Sequence, residues 1–146
     1  MSFIFLFNLV LSFTAVGLIW TIQLLHYPSM KYIPKDRFSE YHNLHSIRIS
    51  ILAMPLMFAE LVTSIMLLYQ NFNNALQSIF LLNLILVVLI WLSTFLIQAP
   101  LHNGLSKEKN TEKLSKLICS NWIRTILWTA RSILMILFLA FAMNLI

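Results

Sequence analysis

Four stretches of this chain are long and apolar enough to cross a bilayer as helices, a task that takes ~20 mostly apolar residues. They run over 3–25, 47–69, 78–98 and 123–146. A segment in lipid has no water to satisfy its backbone, so only helices and closed barrels can span. Barrel strands are ~10 residues of alternating polarity, and none of these runs alternates. The pattern predicts an all-α integral membrane four-helix bundle, one four-span transmembrane domain over residues 1–146. Composition agrees: 60% of residues are hydrophobic and 10% are charged, whereas soluble domains carry roughly 25% charged residues.

The opening run, MSFIFLFNLVLSFTAVGLIW, lacks the basic start, the short apolar core and the small-residue cleavage site of a secretory signal. It is expected to remain as the first span. Cys119 is the single cysteine, which excludes an intrachain disulfide or a Cys-rich metal site.

Seven of the ten Lys and Arg residues lie in two connections, HYPSMKYIPKDRFSEYHNLH and PLHNGLSKEKNTEKLSK, and the other three, Arg48, Arg124 and Arg131, lie in the spans that follow them. The QNFNNALQ turn and both ends carry none. Basic connections stay cytoplasmic, which predicts both termini non-cytoplasmic in a multi-pass protein of the cell inner (cytoplasmic) membrane. The net charge of +5 then sets topology and meets anionic headgroups of the lipid bilayer. No nucleic-acid motif accompanies it, so no nucleic-acid partner is expected. The sequence names no protein partner.

Polar residues inside spans are costly and face the bundle interior. At 100° per residue they line up. Asn8, Ser12, Gln23 and His26 share a face of the first span. His42, His45, Glu60, Thr63 and Ser64 share one on the second, taken back to its entry. Trp91, Thr94, Gln98 and His102 follow on the third, where Pro100 is expected to break the helix before His102. Asn121, Arg124, Thr125, Trp128, Arg131 and Ser132 form the stripe of the fourth. Antiparallel neighbours bring all four histidines to the end with the basic connections. SEYHNLHSIRIS thus becomes one wall of a polar vestibule. Glu60 lies ~22 Å from His45 along a continuous helix, so its expected partner is Arg131, as an intramembrane ion pair.

Two chemistries suit the vestibule. His26, His42, His45 and His102 are candidate ligands for a metal or haem, although no strong ligand motif such as HExxH is present. Without a metal, His42, His45 and His102 could act as acid–base groups. Gln23, Gln98, Asn103, Asn121, Arg124 and Trp128 would then bind and orient the ligand. Histidines at a membrane interface also simply bond loop carbonyls and headgroups, so the cofactor stays open.

The segments QLLHYPSM, EYHNLHSIRI, STFLIQAPLHNGL and NWIRTILWTAR carry the patterns HYP, YHxxH, PLHxxL and NWIRTxxW. Through them most of the chain resembles an uncharacterised family of small four-span bacterial membrane proteins. QAPLHNGL and NWIRT are also similar to two segments of the anthrone-oxygenase-like membrane proteins, which have Pro-Leu-x-Asn after span three and Asn-x-x-Arg entering span four. That resemblance implies oxidation of an aromatic or quinone-like substrate, with Asn103, Asn121 and Arg124 at the matching positions beside His102. The expectation is a vestibule that binds a small lipid-soluble molecule and acts on it by redox or proton transfer. The alternative is a non-catalytic subunit or assembly factor that docks a partner through its basic connections.

Overall fold

The computed structural model describes residues 2–144. Four helices account for nearly all of it: α1 (Phe3–Tyr32), α2 (Lys35–Gln70), α3 (Gln77–Leu105) and α4 (Thr111–Ala142), each long and apolar enough to span a membrane. No strand occurs among the described residues. The protein is a multi-pass integral membrane protein with an all-α fold. Residues 145 and 146, the end of the expected fourth span, lie outside the described residues.

The helices are longer than the apolar runs that announce them. Both basic connections, expected as loops, are largely helical, because a helix that leaves the hydrocarbon needs good caps rather than apolar residues. Asn110 supplies one, accepting the Lys113 N–H at 2.8 Å, the usual role of a residue preceding a first turn. Ser2 accepts the Phe5 N–H at 3.3 Å at the start of α1. Lys109 Nζ ties the two basic connections together, donating to the carbonyls of Lys31 and Ile33 at 2.7 and 2.6 Å. At the other end, Asn73 takes a φ of 64° in the turn between α2 and α3, a conformation asparagine tolerates better than most residues.

The expected break at Pro100 does not occur. The chain passes through a π-helical segment, Thr94–Gln98, and continues helically over Ala99–Leu105. Proline lacks an N–H and its ring clashes with the carbonyl four residues back. One extra residue in the preceding turn shifts that carbonyl aside, so the helix bends its hydrogen bonding instead of ending. The same device stands in α1, where the π segment Ile22–His26 precedes Pro28. The second half thus repeats the first at a spacing of 72 residues: 22 to 94 for the π segments, 28 to 100 for the prolines, 70 to 142 for the helix ends. The repeat is one of backbone shape and not of side chains, so no repeat is legible in the sequence.

Each helix packs against two others in a closed ring, α1 on α2, α2 on α3, α3 on α4 and α4 back on α1. Exposed Leu6, Val10, Ile51, Phe58, Ile85, Leu96, Ile126 and Leu137 cover the outside, as suits a surface facing lipid. Three apolar layers fill the inside. Met30, Phe38, Leu105 and Leu117 lie at the basic end, Ala15, Ile19, Met57 and Ile90 in the middle, and Phe5, Leu67, Phe80 and Met135 at the end with the termini.

Candidate functional site

Two polar groups interrupt these layers. The one nearer the termini is closed. Arg131 is wholly buried and donates Nη1 to Glu60 Oε1, Nε to Asn83 Oδ1 at 2.9 Å and Nη2 to Asn8 Oδ1 at 2.9 Å. Trp128 Nε1 donates to the other carboxylate oxygen of Glu60 at 2.9 Å. Asn8 and Asn83 pass their amide protons to Ser64 at 3.2 and 3.0 Å, and Ser12 meets Ser132 at 2.6 Å. All four helices contribute, and the buried charge is matched and hydrogen-bonded on every side, the condition for burying an ion pair.

The second group, toward the basic end, is open. Tyr27 Oη lies 2.9 Å from His102 Nε2. His102 Nδ1 lies 3.0 Å from His42 Nε2 and 3.5 Å from Ser46 Oγ. Arg124 Nη2 donates to Tyr27 Oη at 3.4 Å, and Arg124 also donates to Asn121 Oδ1 through Nε, at 3.0 Å, and through Nη2. Asn121 Nδ2 donates to Gln23 Oε1 at 2.7 Å. Gln23 and Gln98, from the two π segments, donate to the α4 carbonyls of Ile118 and Ser120, each at 3.2 Å. Each extra residue that spares a proline thus also turns a glutamine onto α4.

Arginine can only donate. Its bond to the Tyr27 oxygen leaves the tyrosine proton for His102 Nε2. His102 then offers Nδ1–H to His42 Nε2, and the proton of His42 sits on Nδ1, a buried atom with no partner. This assignment follows from the bonding pattern. Beside the chain, the rings of His26 and His45 stack at 3.9 Å between centroids, and the Nε2 atom of each is buried without a partner.

A cavity of about 310 Å³ opens beneath this group. Ile19, Ile22, Met57 and Trp128 form much of its apolar wall, and Tyr27, Ser46, Gln98, His102, Asn103 and Arg124 its polar end. Its exposed lining residues, Ser50 and Met54 on α2 and Phe95 and Asn103 on α3, bring it to the surface between those two helices. The equivalent gap between α4 and α1 is sealed. There Trp20 and Trp122 pack edge to face at 5.6 Å, and Trp20 Nε1 donates to Thr129 at 3.1 Å. Trp122 stands 72 residues after Ser50, so the two halves differ at the position that closes one gap and leaves the other open.

Of the residues singled out in the sequence, Gln98, His102, Asn103, Arg124 and Trp128 line the cavity. His42 reaches it through His102, and Gln23 and Asn121 through Arg124. His26 and His45 do not line it. Among the described residues no group of three His, Cys, Asp or Glu side chains is arranged to hold an ion. The facing nitrogens of His42 and His102 bond each other. Tyr27 and Ser46 also line the cavity, although neither is among the residues that the sequence singles out. Tyr27 continues the Gln23 face at i+4, and Ser46 that of His42, so helical spacing would have found both.

No protein-family model matches the chain, and no curated protein or solved structure is significantly similar to it.

Proposed function

We propose that this integral membrane protein binds a small lipid-soluble molecule in the cavity between α2 and α3, its polar end on Tyr27, His102 and Arg124, and exchanges a proton with it. The observation that carries the reading is the cavity itself, apolar along its walls and polar at one end. Its volume falls within the usual 300–1,000 Å³ of small-molecule sites. The basic connections put the polar end on the cytoplasmic side of the inner membrane and both termini outside.

The hydrogen-bond chain supports the proton transfer. A proton released by the ligand binds the Tyr27 oxygen as the tyrosine proton passes to His102 Nε2. His102 Nδ1–H passes to His42 Nε2, so the proton given up by the ligand ends as the His42 imidazolium, protonated on both ring nitrogens, while Tyr27 and His102 end neutral. His42, His102 and Tyr27 carry the proton, Arg124 holds the polar end, and Asn121 and Gln23 fix Arg124. Oxidation of an aromatic or quinone-like substrate, which the anthrone-oxygenase resemblance implies, would use the same polar end but needs an oxidant besides.

The competing reading, a subunit that docks a protein partner through its basic connections, rests on the charge of those segments alone. Purification in mild detergent followed by solvent extraction and mass spectrometry separates the two. A lipid-soluble molecule retained by the wild type and lost in Ala53→Phe, which fills the cavity, supports binding. A stoichiometric protein that copurifies with both, and no retained small molecule, overturns it.

A further inference from the structure

We infer that the ligand is an acid: a lipid-soluble molecule whose head carries one negative charge, as a carboxylate or phenolate, set against Arg124. The inference rests on the cavity reading above and names its chemistry.

The two intramembrane arginines of α4 are treated differently. Arg131 is matched by Glu60 and by an amide oxygen from each of α1 and α3. Arg124 is also buried, at 9% exposure, yet among the described residues no carboxylate lies within salt-bridge distance of it. Its partners are a neutral amide and a neutral phenol, which take Nε and Nη2. Nη1 bonds no described residue, and the side chain forms part of the cavity wall. A buried cation without a counter-charge is strongly unfavourable. The chain has five acidic residues: Glu60 is engaged with Arg131, and the other four lie in the basic connections and their flanking turns. The missing negative charge therefore has to come from whatever fills the cavity. An acid meets the requirement in the form a guanidinium binds best, through charge-assisted hydrogen bonds. The apolar walls then take its chain or ring.

The test uses two probes of equal length, undecanoic acid and undecanol, each tipped with a bromine that quenches tryptophan on contact. Trp128 lines the cavity, so its quenching, taken as wild type minus Trp128→Phe, reports entry. The acid is expected to bind about tenfold more tightly than the alcohol at a pH where it is ionised. In Arg124→Gln, which keeps a donor and the side-chain bulk, the preference is expected to vanish while the alcohol still binds. Equal binding of acid and alcohol by the wild type overturns the acid and leaves the cavity reading standing. Quenching by neither overturns both. Should Trp128→Phe fail to fold, the comparison of wild type with Arg124→Gln still decides the preference.

Discussion

Arg131 and Arg124 sit seven residues apart on one face of α4, and the difference between them divides stability from function. Arg131 is enclosed by partners from every helix, so its role is to hold the bundle. Replacing Glu60 alone by Met strands a buried cation and is expected to cost ~3–5 kcal/mol, whereas Glu60→Met with Arg131→Met is expected to cost less than the single change. Unfolding in mixed micelles measures both; a double variant weaker than the single would contradict the pairing. Tyr27→Phe removes one hydroxyl from the open group, with an expected stability loss of about 1 kcal/mol. It also cuts the link between Arg124 and His102, so proton exchange should fall far more than binding. At this scale the sequence was informative where polar residues recur in lipid-facing stretches, since Glu60 and Arg131 have no bland place to go. It was poor at separating His26 and His45 from His42 and His102. All four share a depth, and only ring orientation decides which of them reach the cavity.

The elements explain why the cavity is where it is. A helix interrupted by proline usually ends or kinks, yet α1 and α3 absorb Pro28 and Pro100 in π segments and continue. That outcome turned on a hydrogen-bond shift that residue types alone do not encode, and it is what delivers His102 to the polar end. The near-repetition of the two halves then isolates one informative difference, Ser50 against Trp122. Ser50→Trp is expected to plug the gap between α2 and α3 as Trp122 does between α4 and α1. The retained ligand should fall several-fold while the thermal midpoint stays within a few degrees of wild type, because a tryptophan at this surface faces lipid. Unchanged retention would mean that the ligand enters elsewhere. Apolar run lengths sufficed to count the helices, but not to place their ends, which are set by Asn110, Ser2 and other capping groups beyond the hydrocarbon.

For the whole molecule, the ring of four helices with both basic connections at one end makes orientation a single binary question. With Cys119 replaced by Ser, Asn74→Cys is expected to react with a membrane-impermeant maleimide in intact cells, and Ser106→Cys only after permeabilisation; the reverse pattern would put the cavity's polar end outside. The fold class was legible because lipid permits so few solutions. The cavity was not, because it depends on which packing gaps are filled by side chains distant in sequence, such as Trp20 and Trp122. The central claim is that a lipid-soluble molecule occupies the space under Tyr27, His102 and Arg124. An experimentally determined map of the protein, extracted with its own membrane lipids into nanodiscs, tests it most directly. Elongated density is expected between α2 and α3, with one end in hydrogen-bonding contact with Arg124 and Tyr27. Side chains collapsed into that space, or density confined to the outer lipid shell, would contradict it.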